Sequence, residues 1–250
     1  MAISKKSIRA TIAKTEKTLS AAGIKRGRAP HTTRRIYREL NALAIRSPGF
    51  ALMKKHTAFV KRFANSLAKA LQEKHIALDR GLVNQSAIAH DSRRDFKEHD
   101  LEAKFIWAMR GAPQLAKNIG TGKVWTLQSN ARWPIEKRIL AYSDVCNRGV
   151  KAGSAFLNGT LLSSTAFRLL VSQRQANPGW VDRIVKERQA TFAFEKYLRS
   201  SGIDPGKIIA QHMKRNPKAF MAAVEKTIDP NVGKIISASM KRLKIKRLYY

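Results

Sequence analysis

Cysteine occurs once in these 250 residues, at Cys146. A single thiol excludes an intramolecular disulfide and a cysteine-ligated zinc site, and it fits a reducing compartment. Acidic residues are also scarce: 17 Asp and Glu stand against 49 Lys and Arg, for a net charge of +32. Such an excess repels itself in a compact chain, so a polyanionic partner is the economical expectation. No apolar run reaches the roughly 18 residues of a membrane-spanning helix. The N-terminus lacks the apolar core of a secretion signal, so secretion is not expected. No Walker loop is present, and no Gly-x-Gly-x-x-Gly follows a strand. Gly120-Thr121-Gly122-Lys123 has the glycines of a phosphate loop without its frame. Ser163-Ser164-Thr165 has no histidine near it, which argues against an acyl-transfer nucleophile. No cofactor is expected.

Apolar residues still make up 44 %, enough for a core in one large domain or two small ones. Helix-start signals dominate the pattern. Ser47, Asn177, Asp204, Asn216 and Asp229 each stand before a proline and open an apolar-periodic stretch. We therefore expect an all-α protein of nine or ten helices, in two packed lobes with basic, partly flexible ends. Expected helices cover residues 1–22, 32–45, 50–74, 92–110, 134–147, 154–173 and 177–200, with shorter ones beyond. Phe50, Met53, Val60, Phe63, Leu67 and Leu71 form the inner stripe of the helix at 50–74. Val181, Ile184, Val185, Phe192 and Leu198 do so at 177–200. Val124-Trp125-Thr126-Leu127 is the only strand candidate.

Charge divides the chain in three. Residues 1–75 hold 18 cations and 3 acids, residues 76–130 hold 8 and 6, and residues 131–250 hold 23 and 8, so the balances are +15, +2 and +15. The expected organisation is a basic arm at 1–30, a helical lobe at 31–130 with an acidic island at 90–102, and a second helical lobe at 131–250. The arm has the composition of a transit peptide as well as of a nucleic-acid-binding tail. Its cations cluster around turn residues and continue past it, which favours the tail.

The last lobe nearly repeats itself. Ile203-Asp204-Pro205 leads into Gly206-Lys207-Ile208-Ile209 and Met213-Lys214-Arg215. Ile228-Asp229-Pro230 leads, after a two-residue insert, into Gly233-Lys234-Ile235-Ile236 and Met240-Lys241-Arg242. Asp204 and Asp229 are the expected N-caps, with proline at the first helical position. The Ile/Met stripes should pack, and the lysines, seven residues apart, should share an outer face.

The candidate phosphate contacts follow from these patterns. Arg26 and Arg28 lie in a basic linker. Arg34, Arg35 and Arg38 crowd the first turns of the helix at 32–45, where cations oppose the macrodipole, so helix stability does not explain them. Lys54, Lys55, Lys61 and Arg62 run along the shaft of the next helix. A helix, a Pro/Gly turn and a helix invite a helix-turn-helix reading, but cations along a shaft suit backbone contact better than base readout. Lys207, Lys214, Arg215, Lys234, Lys241, Arg242, Lys244, Lys246 and Arg247 form the second candidate surface.

Three functions fit. The first is a packaging, scaffold or replication-accessory protein that grips nucleic acid, DNA before RNA, through phosphates with little sequence preference, as in a virus or mobile element. The second is an RNA-binding structural component of a ribonucleoprotein. The third is a metal-dependent nuclease built on the island of His90, Asp91, Asp95, Glu98, His99, Asp100 and Glu102, with His75 upstream; i, i+4 pairing with neighbouring cations accounts for those acids as well. A binding protein is the expectation over an enzyme, located in the cytoplasm or on nucleic acid, with protein partners if it assembles. Trp125 and Trp133 flank Arg132 and are candidates for base stacking, against a core role. Phe192, Phe194, Tyr197, Phe220 and Tyr249 also sit among cations, and Tyr249-Tyr250 places hydroxyls at the chain end, where a nucleotide could be carried.

Overall fold

The computed structural model describes residues 50–90, 99–109, 111–119, 125–146, 150–152, 155–157, 164–212 and 225–248, with Ala13, Lys17 and Ser20 helical and exposed near the start. Ten helices lie among these residues. They are α1 (Phe50–Glu73), α2 (Arg80–Ala89), α3 (His99–Met109), α4 (Pro113–Asn118), α5 (Leu127–Arg132), α6 (Ile135–Cys146), α7 (Ser164–Arg174), α8 (Pro178–Ser200), α9 (Pro205–His212) and α10 (Val232–Arg242). Strands β1 (Val150–Ala152) and β2 (Ala155–Leu157) pair antiparallel between α6 and α7. The protein is all-α and multi-helical, with that hairpin as the only sheet among the described residues. The chain forms two compact units: Met1–Asn65 with Leu78–Lys123, and Ser66–Ala77 with Val124–Tyr250.

In α1 the buried positions Val60, Phe63, Ala64, Leu67, Ala68 and Leu71 recur at helical spacing, while Arg62 and Lys69 between them are exposed. The first unit builds its core from α2, α3 and α4. Asp79 starts α2 by accepting the Leu82 N–H at 2.9 Å. Ile88, Ala103, Ile106, Trp107, Leu115 and Ile119 then close one apolar cluster. The buried Asn118 amide nitrogen donates to Ser86 Oγ at 2.8 Å inside it, while Asn118 Oδ1 has no hydrogen-bond partner among the described residues.

The second unit is arranged around α8, which touches α5, α6, α7, α9 and α10. Its centre is aromatic. Trp125, Tyr142 and Phe194 meet edge to face, with centroids 5.3 to 6.4 Å apart. Asn177 caps α8 and Pro178 is its first residue. Gly202, at φ 74, ends α8, and the Ile203 N–H reaches back to the Leu198 carbonyl at 2.9 Å, a reversal that the missing Cβ permits.

Four expectations are corrected. The strand expected at 124–127 is a helix start: Thr126 and Ser129 form a capping box that opens α5. The helix expected from residue 154 begins only at Ser164, because 155–157 belong to the hairpin. Phe192 is only half-buried, and Phe194 takes the inward position on α8. Asp229-Pro230 does not start its helix directly. The inserted Asn231 and Val232 move the start, and Asn231 is the residue before α10.

Candidate nucleic-acid interface

Arg26, Arg28, Arg34, Arg35, Arg38, Lys214 and Arg215 lie outside the described residues. Lys54 and Lys55 are in α1, with side chains outside the described set. Further along α1, Arg62 is exposed, whereas Lys61 is half-buried. The second candidate surface is described in more detail.

The two repeat copies dock on α8 through α9 and α10. Both aspartates hold the chain by the same local bond: Asp204 Oδ1 accepts the Gly206 N–H at 2.9 Å, and Asp229 Oδ1 accepts the Asn231 N–H at 2.7 Å. Asp229 is tied further, to Gln175 Nε2 through its other oxygen and to Ser172 Oγ through its own N–H, each at 2.9 Å. The Gln175 and Asn231 hydrogen bonds hold its carboxyl below the ordinary value.

In α10 the inner face is Val232, Ile236 and Ser239, all buried, while Ile235 and Met240 are half-buried at its edge. A polar latch secures this face. Ser239 Oγ donates to Asp182 Oδ1 at 2.7 Å, and Arg242 Nη2 donates to the same oxygen at 2.7 Å. Burial pushes the Asp182 carboxyl up, but the hydrogen bonds from Arg242 and Ser239 and the charge of Arg242 outweigh it, so it stays below the ordinary value. Arg242, expected in the outward basic ridge, is therefore engaged in docking the helix.

The other cations face out. Lys234 and Lys241, seven residues apart, are exposed on one face of α10. Lys244, at φ 55, closes the helix in a left-handed conformation, with the Ile245 N–H bonded to the Met240 carbonyl at 2.9 Å. Lys246 and Arg247 follow, and both are exposed, as is Lys207 on α9. Lys207, Lys234, Lys241, Lys244 and Lys246 have no ion pair among the described residues. With the nearby acid Asp182 already committed to Ser239 and Arg242, this ridge keeps its positive charge.

Of the acidic island, only the His90 side chain is described. It is buried, and its Nδ1 lies 2.9 Å from the Ala87 carbonyl, so Nδ1 carries the hydrogen. In the neutral ring Nε2 is then the acceptor for His56 Nε2, 3.2 Å away. Asp91, Asp95 and Glu98 lie outside the described residues, as do the side chains of His99, Asp100 and Glu102. His75 is exposed at φ 59, where it ends α1.

The two tryptophans that were candidates for base stacking, against a core role, are occupied. Trp125 is buried in the second unit's core and stacks on Trp133 at 6.4 Å. Trp133 carries Lys137 over its ring at 4.9 Å. Beneath them, Glu195 is buried with Arg188 at 3.5 Å and the Tyr142 hydroxyl at 3.5 Å. Burial pushes the Glu195 carboxyl up to about 7, with Arg188 and Arg199 pulling it back. It also drives the Tyr142 hydroxyl and Cys146 thiol well up, so both stay protonated. These groups are sealed from solvent and serve the core. Trp180 is exposed, with Arg174 and Arg183 over its ring; its place in the first turn of a helix gave no periodic signal in the sequence.

Compared with models of known protein families, with curated proteins and with solved structures, the chain matches none.

Proposed function

We propose that this protein binds nucleic acid through phosphate contacts with little base preference, as a packaging, scaffold or replication-accessory component. DNA is the first choice of ligand, because the cations lie along helix faces that suit a backbone. The observation that carries the reading is the ridge of Lys234, Lys241, Lys244 and Lys246. It is exposed and has no ion pair among the described residues, and it runs along and just past a helix whose neighbouring acid Asp182 is spent on docking. A chain at +32 that leaves such a ridge uncompensated gains most from a polyanion that releases counterions on binding. No helix among the described residues is long and apolar enough to cross a membrane. Location on nucleic acid and assembly with protein partners belong to the same proposal.

The test is charge reversal. A variant with Lys234, Lys241, Lys244 and Lys246 all changed to Glu is expected to bind duplex DNA about tenfold or more weakly at low salt, with its thermal midpoint little changed. Unchanged affinity in a folded variant would remove the ridge from the interface.

A further inference from the structure

The turn between α7 and α8 stands away from the core of the second unit. Every residue from 173 to 180 is exposed. Two large apolar side chains are exposed among the described residues, Leu127 at 50 % and Trp180 at 43 %, and only Trp180 is aromatic. By contrast, Trp107 and Trp125 are buried.

Trp180 is held in place by its backbone. Asn177 Oδ1 accepts the Trp180 N–H at 3.3 Å, and Pro178 fixes the first residue of the helix. Two guanidinium groups approach the ring. Arg183 Cζ is 5.2 Å and Arg174 Cζ 5.6 Å from its centroid. Arg183 is paired with Glu187 at 3.0 Å, whereas Arg174 has no ion pair among the described residues. Glu187 offsets the charge of Arg183, which leaves Arg174 as the cation at this ring that an incoming phosphate could pair with. An exposed indole with guanidinium groups over its ring can stack on a base that displaces one of them, while the cations meet the flanking phosphates, the combination used on unpaired strands.

We propose that Trp180, with Arg174 and Arg183, forms a stacking site for an unpaired nucleobase of single-stranded nucleic acid. The proposal rests on the nucleic-acid reading above and adds a preference to it. The lysine ridge grips phosphates of any strand, whereas Trp180 acts only on a base that is free of its pair.

The test compares the full chain with its Trp180→Ala and Trp180→Phe variants. Fluorescence anisotropy would follow a labelled oligothymidine strand and a labelled duplex of equal length at one low salt concentration, with thermal melting as the check on folding. Trp180→Ala is expected to weaken single-strand binding about tenfold or more, to leave duplex binding within about twofold, and to be largely rescued by phenylalanine. If the wild type binds the strand and Trp180→Ala binds it equally well, the stacking site is overturned while the phosphate reading stands. Equal weakening on strand and duplex would overturn it too, by making Trp180 a general structural element. A wild type that binds neither probe would overturn both readings.

Discussion

Glu195 lies 1 % exposed in α8, with Arg188 at 3.5 Å and Arg199 at 3.9 Å. Its carboxyl, pushed up to about 7 from an ordinary 4.5, holds a proton in the folded state that the unfolded chain has already released. The folded state therefore binds more protons between those two values. Its contribution to stability is fully present below pH 4.5, declines as pH rises toward 7, and is flat above. The loss amounts to about 3 kcal/mol. Denaturant melts of the wild type and Glu195→Gln across pH 4 to 8 would check this, and the difference between the two curves should carry that slope. A difference that grows in the opposite direction would contradict the burial-dominated shift. At this scale the sequence was partly legible. The inward stripe Val181, Ile184, Val185 and Leu198 is buried as its period requires, but Phe192 and Phe194 exchange roles. Two aromatics two positions apart both lie near the edge of a helical stripe, and the neighbouring rings of Trp125 and Tyr142 decide between them. The exposure of Trp180 was not legible at all, because it depends on a turn that leads away from the core.

Among the elements, α10 is the one on which the candidate site stands. Its attachment to α8 combines apolar contact through Val232 and Ile236 with the Asp182 latch. Asp182→Ala should leave the buried Ser239 hydroxyl without its acceptor and destabilise the protein by about 1–2 kcal/mol. Arg242→Ala should have the smaller effect, because its pair faces water. Because the Asp182 carboxyl lies below its ordinary value, the latch is complete above about pH 4 and is lost as pH falls through the folded value. Hydrogen exchange on 232–242 would report it as faster local opening in Asp182→Ala. Exchange unchanged from wild type would mean that apolar packing alone holds the helix. Element starts were legible where chemistry is local: Asn177-Pro178 and Asp204-Pro205 open helices directly. Asp229-Pro230 carries the same signal, but its bonds to Gln175 and Ser172 tie it to the end of α7, and the helix begins three residues later. The short helices α2 and α4 were missed because their buried positions are mostly small or polar, as Ser86, Ala87, Ala89, Ala116 and Asn118 are, and packing of α4 on α2 and α3 supplies what propensity does not.

For the molecule as a whole, charge is the property that sequence conveys best and that local structure modifies least. The excess of 49 cations over 17 acids is fixed by composition. The structure adds which charges are engaged in ion pairs, as the buried Arg188 and the exposed Arg242 are, and which are exposed without one among the described residues, as Lys234, Lys241, Lys244 and Lys246 are. The candidate contacts at Arg26 to Arg38 and at Lys214 and Arg215 lie outside the described residues and rest on sequence alone.

The most direct measurement of the central claim is a salt titration of binding to duplex DNA, with single-stranded DNA and structured RNA in parallel, with and without magnesium. Affinity for duplex should fall linearly on a log-log plot, by about 0.9 per phosphate contacted, and all substrates should remain intact. An affinity that barely changes between about 50 and 200 mM salt would contradict a phosphate-dominated interface. Magnesium-dependent cleavage would contradict a purely binding role and direct attention to the acids of residues 91–102.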